Sequence, residues 1–133
     1  MEYTIENTHL PFGVEELNNQ TYLKCLINEN DVQHMVLKNE IETIEEKEKI
    51  TASNLRKLKE DNYILKIRVK NAKGRNCYET KYLSDNHYLK TLDDLKSQDK
   101  VNITFYLGKK YQKKYQERNV VSVPLILKKI TFL

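Results

Sequence analysis

A mainly β fold with a helical insertion is the architecture that the spacing of apolar residues predicts for this chain of 133 residues. Three observations carry the prediction. Val101, Ile103, Phe105 and Leu107 alternate with Asn102, Thr104 and Tyr106, the two-residue period of a strand with one buried face. Leu65, Ile67 and Val69 alternate with Lys66, Arg68 and Lys70 in the same way. Between residues 31 and 49 the period changes. Val32, Met35, Val36, Leu37, Ile41 and Ile44 recur at about 3.6 residues with glutamates between them, the pattern of an amphipathic helix.

Taken in order, residues 1–20 hold Pro11, Gly13 and the pair Asn18 and Asn19, and read as an arm of little regular structure docked by Leu10, Phe12 and Leu17. The first six residues show neither a basic nor an apolar run, so no secretory signal is expected and the cytoplasm is the expected location. Residues 21–28 are apolar enough for a strand. Asp31 offers an N-cap for the helix. Ser53 offers one for a second, short helix over residues 54–60, with Leu55 and Leu58 on one side and Arg56, Lys57 and Lys59 on the other. Residues 31–61 thus form the expected insertion.

Residues 63–71 and 76–84, joined by a turn at Asn71, Ala72, Lys73 and Gly74, predict a β-hairpin with a basic side made by Lys66, Arg68, Lys70, Lys73 and Arg75. Tyr78 and Tyr82 share a face of its second strand. Thr91 and Asp94 stand at capping-box spacing for a short helix over residues 91–96. Two strands close the chain, one near residues 101–107 and an almost wholly apolar one over 120–127, with a basic loop between them.

That loop carries the charge. The tetrapeptide Lys-Lys-Tyr-Gln is written twice over residues 109–116, and Glu117, Arg118 and Asn119 follow. Lys109, Lys110, Lys113, Lys114 and Arg118 against Glu117 give residues 109–118 a net charge of +4, equal to that of the whole chain. Everything outside the loop therefore sums to zero. Lysines displace counterions from phosphates, and flat tyrosine rings (Tyr111 and Tyr115 here, Tyr106 on the preceding strand) give unpaired bases a surface on which to stack. A basic hairpin tip is also an ordinary solvated surface, and both readings stand at this level.

Other chemistries find little support. No apolar run is long enough to span a bilayer, so no membrane role is expected. Cys25 and Cys77 form no Cys-x-x-Cys pair and read as reduced thiols. His9, His34 and His87 are far apart and unpaired with either cysteine, so neither a metal nor a cofactor is expected. Three glycines cannot build a phosphate-cradling loop. Asp93 and Asp94 suit a helix start better than a metal-dependent nuclease pair. A non-enzymatic protein is expected.

The order of elements (strand, helical insertion, strand, strand, short helix, strand, basic loop, strand) resembles the OB-fold single-stranded-DNA-binding proteins of phages and mobile elements over residues 21–133. The resemblance implies a single domain built on a five-stranded Greek-key barrel, with the nucleic-acid-binding part in residues 63–133. It implies contacts from Lys66, Arg68, Lys70, Lys73, Arg75, Tyr78, Tyr82, Tyr106, Lys109, Lys110, Tyr111, Lys113, Lys114, Tyr115 and Arg118. It also implies a role in replication or recombination with single-stranded DNA as partner, RNA remaining open. Residues 31–61 carry eight acidic and six basic side chains, a poor match for phosphate. They are the expected contact for a replication polymerase, primase or helicase, or for a second copy of the chain. Two alternatives remain. One is an accessory subunit of such an enzyme. The other is a winged helix that sets Arg56, Lys57 and Lys59 on duplex DNA.

Overall fold

The computed structural model describes residues 2–17, 20–71, 73–82, 92, 95 and 99–133, without the side chains of Leu17, Lys81 and Tyr82. Among them are ten strands and one helix: β1 (Glu2–His9), β2 (Val14–Leu17), β3 (Gln20–Asn28), α1 (Val32–Lys47), β4 (Leu55–Lys59), β5 (Asn62–Arg68), β6 (Glu79–Tyr82), β7 (Lys100–Leu107), β8 (Tyr111–Tyr115), β9 (Arg118–Ser122) and β10 (Leu125–Phe132). The mainly β class with a helical insertion holds, in an OB-like arrangement. The strands outnumber the five of a minimal barrel, and the sheet does not close.

The main sheet runs β1-β7-β10-β5-β3-β2, with β4 also bonded to β5 and β6 to β10. β10 is antiparallel to β7, meets β5 in parallel at Ile126 and Arg68, and then runs parallel to β6 from Lys129 to Phe132. One face of this sheet makes the core. Leu23, Cys25, Ile27, Leu65, Ile67, Ile103, Phe105 and Leu127 are all but inaccessible, and Leu37 and Ile41 of α1 close over them. Burial with no compensating charge pushes the Cys25 thiol up to about 12, so it is inert. α1 starts as expected, with Asp31 accepting the His34 N–H at 3.2 Å. It ends in a Schellman turn, with Ile50 N–H donating to Glu45 C=O, Lys49 N–H to Glu46 C=O, and Lys49 at φ +55°. Lys38 ties α1 to the sheet: its ammonium meets Glu29 at 3.1 Å and Glu42 at 2.8 Å, 4.9 Å from the Tyr63 ring centroid.

Four expectations need correction. Residues 2–17 are not a loose arm. Tyr3 and Ile5 are buried, and β1 pairs along the free edge of β7, the Tyr3 and Phe105 ring centroids 5.7 Å apart. Of the expected docking residues Leu10 is buried and Phe12 is exposed; the Leu17 side chain lies outside the described residues. The second helix is the strand β4. Five residues make too short a helix to be stable alone, whereas as a strand they complete the second edge of β5, with Leu55 opposite Leu65. Arg56, Lys57 and Lys59 are therefore not on a recognition helix, and the insertion is one helix and one strand.

Of the hairpin expected over residues 63–84, the described residues form the turn and the pairing next to it. Asn71 Oδ1 accepts the N–H groups of Lys73 and Arg75, and Gly74 takes φ +77°. Beyond the single bridge between Lys70 and Asn76 the chain leaves β5, and β6 joins β10 instead. The wing of the winged-helix alternative is thus absent among the described residues. Finally, the basic loop and the start of the apolar strand form a second, two-stranded sheet, β8-β9, before Pro124. Proline has no N–H to offer a ladder, and the chain passes there into β10. The short helix expected at 91–96 falls largely outside the described residues; of it, Leu92 is buried and Leu95 N–H donates to its C=O.

Candidate nucleic-acid interface

The face of the sheet opposite the core carries the residues that alternate with the buried ones. Strand register aligns six of them in one row across the whole path: Glu2, Tyr106, Ile126, Arg68, Tyr22 and Glu15. Lys24 and Lys66 form the next row. Lys66 Nζ lies 5.9 Å from the Tyr22 ring centroid, and Lys24 is ion-paired with Glu15.

Over this floor stands the β8-β9 hairpin. Tyr115 pairs with Arg118 across a two-residue turn in which Gln116 and Glu117 both have positive φ, +47° and +63°. That is the backbone of a type I′ turn, whose twist suits a hairpin. On a strand, side chains alternate with a period of two, and the doubled tetrapeptide has a period of four. Tyr111, Lys113 and Tyr115 therefore share one side of β8 and Gln112 and Lys114 the other; just before the strand, Lys109 joins the first set and Lys110 turns to Glu48. The first set lines a groove of about 930 Å³ whose floor is Gln20, Tyr22, Arg68 and Ile126 and whose end is Val120 and Pro124. The Arg68 guanidinium sits 5.9 Å from the Tyr111 ring centroid. Its Nε is buried with no hydrogen-bond partner among the described residues. Tyr111 and Tyr115 are 37% and 55% exposed, far more than a core tyrosine would be.

On its other side the hairpin is tied to the segment that follows α1. Lys110 meets Glu48 at 3.2 Å. Thr51 and Ala52 N–H groups donate to Val121 C=O, and Val121 N–H donates to Thr51 Oγ1. Ser122 Oγ donates to Ala52 C=O at 2.8 Å.

The structure thus brings Arg68, Lys109, Tyr111, Lys113 and Tyr115 together in one groove, with Tyr106 in the row of Arg68 and Lys66 in the adjoining one. Lys110 and Lys114 fall on the far side, and Arg118 follows the turn opposite Tyr115. Lys70, Arg75 and Tyr78 line a separate cleft of about 430 Å³, and Lys73 is exposed on the turn beside it. Tyr78 is half-buried against the core, its hydroxyl accepting the Leu92 N–H at 3.3 Å, which suits a packing residue better than an open stacking surface. The Tyr82 side chain lies outside the described residues. Sequence reasoning passed over Tyr22, Gln20, Pro124 and Ile126. The signal for Tyr22 was present, since it alternates with buried Leu23, Cys25 and Ile27 and so must lie on the opposite face.

No protein-family model and no curated protein sequence matches the chain. Its backbone is similar to that of gp2.5, a single-stranded DNA binding protein encoded by bacteriophage T7, with a TM-score of 0.58 at 12% identity over 99% of this chain and 91% of that one. At that identity the likeness is one of fold.

Proposed function

We propose that the protein is a non-enzymatic binder of single-stranded nucleic acid, DNA foremost, which lies in the groove between the β8-β9 hairpin and the outer face of the sheet. The observation that carries the reading is the alternation of Lys109, Tyr111, Lys113 and Tyr115 on the groove side, facing Tyr22 and Arg68. Phosphates meet the cations, and bases lie against the rings. Duplex DNA keeps its bases stacked inside the helix and offers such rings nothing, so the arrangement favours single strands. The shared fold with a phage single-stranded DNA binding protein supports the same reading, and with it a role in replication or recombination of a phage or mobile element. Lys70, Lys73 and Arg75 would supply further phosphate contacts where the strand leaves the groove.

Fluorescence titration with labelled single strands, duplex and RNA at two salt concentrations tests the proposal. Single strands are expected to bind most tightly and to lose affinity with salt; a flat salt response or a preference for duplex would overturn it. One observation favours a second reading, an accessory subunit of a replication polymerase, primase or helicase. Val32, Met35 and Val36 lie exposed at i, i+3 and i+4 on α1. Co-purification with such an enzyme, together with weak binding of bare single strands, selects that reading.

A further inference from the structure

The groove has two walls, and the segment between α1 and β4 is bonded to both. Asn54, in the segment between α1 and β4, accepts the Lys66 N–H through its backbone carbonyl at 2.9 Å. Its side-chain amide donates to Val123 C=O at 2.7 Å and approaches Ser122 Oγ at 3.4 Å. Lys66 belongs to the sheet floor, two residues from Arg68; Val123 is the hinge through which β9 passes into β10. Three residues earlier Thr51 grips the hairpin itself, its N–H on Val121 C=O and its Oγ1 accepting the Val121 N–H at 2.8 Å. Among the described residues β8-β9 has no strand pairing to the main sheet, so its tilt over the floor rests on this bracket, on the neighbouring contacts of Ala52 with Val121 and Ser122 and of Glu48 with Lys110, and on the covalent ends of the hairpin.

We infer that Asn54 and Thr51 are positioning residues: they set the opening of the groove and thereby its affinity for single strands, without touching the ligand. The inference rests on the proposed binding site and gives the insertion a task within it. A hairpin released from the bracket samples poses in which Tyr111 and Tyr115 no longer face Tyr22 and Arg68. Apparent affinity then falls by the fraction of time the closed pose is lost.

The test uses Asn54→Ala and Thr51→Val, with Thr51→Ser as the conservative partner that keeps the hydroxyl. Each is assayed for binding of labelled oligo-dT and, in a Cys77→Ser background, for the distance between spin labels at Glu117→Cys on the hairpin tip and Glu16→Cys on β2. Losing one ordinary hydrogen bond predicts about a three- to tenfold weaker affinity for Asn54→Ala and Thr51→Val, with a broadened distance distribution that narrows again at saturating oligo-dT. Thr51→Ser should match the unaltered chain in both readouts. Unchanged affinity together with an unchanged distribution in both disruptive variants would overturn the inference. If the unaltered chain itself retains no oligo-dT, the binding site falls, and the distance readout alone still decides whether the bracket holds the hairpin.

Discussion

Two pairs of lysines within six residues should behave in opposite ways. Lys109→Gln with Lys113→Gln removes two of the three charges that line the groove, whereas Lys110→Gln with Lys114→Gln removes equal charge from the far side of the same segment. Arg68, Lys109 and Lys113 face the groove and Lys66 adjoins it, so on the proposed function about three to four phosphates should be neutralised and log K should fall with log salt at a slope of roughly −2 to −3. Each lost phosphate contact flattens a single-strand slope by about 0.7, so the groove-side pair should flatten it by about 1.4. At 0.1 M salt that difference is roughly 25-fold in affinity, or about 2 kcal/mol. The far-side pair should leave the slope close to that of the unaltered chain, because Lys110 is engaged with Glu48 and Lys114 points away. The assay is fluorescence anisotropy of a labelled oligo-dT over a salt series. Equal flattening by both pairs would refute the reasoning, since only a diffuse cloud of charge, and not a sided strand, produces that result.

Tyr111→Ala and Tyr115→Ala should each weaken single-strand binding by about 1–3 kcal/mol with little change in melting temperature, since both rings are exposed; calorimetric melts and titrations on the same samples decide it. Gly108→Ala places a methyl 2.8 Å from Pro124 Cγ and 2.9 Å from Ile126 Cδ1 at the end of the groove. Denaturant unfolding should show a loss of about 1–3 kcal/mol, and a loss below about 0.5 kcal/mol would mean the site yields freely. Burial raises the Glu45 carboxyl above its usual range, with Glu42 adding to the rise and the Ser53 hydroxyl opposing it. Between the unfolded and the raised folded pKa the native state holds more protons, so this group's contribution to stability falls as pH rises through that window and stays lower at neutrality. Glu45→Gln should therefore gain stability relative to the unaltered chain on going from pH 4 to pH 7, as read by paired thermal melts; a relative loss over that range would contradict the sign.

β5, β7 and α1 were legible because each has one buried face, so its apolar residues recur with the period of its own geometry. β1 was hidden. Tyr3 and Ile5 alternate correctly, but a bulge with Asn7 at φ +54° breaks the pattern before Thr8, and the pairing partner β7 is about a hundred residues away. β4 was misread because Leu55 and Leu58 happen to stand three apart, and a five-residue segment takes the conformation its neighbour offers. The composition of the basic segment pointed to the site, whereas the sides of the site depended on its being a strand: once paired, an even repeat sorts Tyr111, Lys113 and Tyr115 from Gln112 and Lys114. The bracket at Thr51 and Asn54 could not be read at all, since its hydrogen bonds span about seventy residues and involve ordinary polar side chains.

The central claim is that single strands lie between the hairpin and the outer face of the sheet. Photocrosslinking with 5-iododeoxyuridine-substituted oligo-dT, followed by peptide mapping, tests it most directly, because halogenated bases react with rings they stack upon. Crosslinks are predicted at Tyr22, Tyr111 and Tyr115, on both walls of the one groove. Crosslinks confined to α1, or to the cleft of Lys70, Arg75 and Tyr78, would contradict the account.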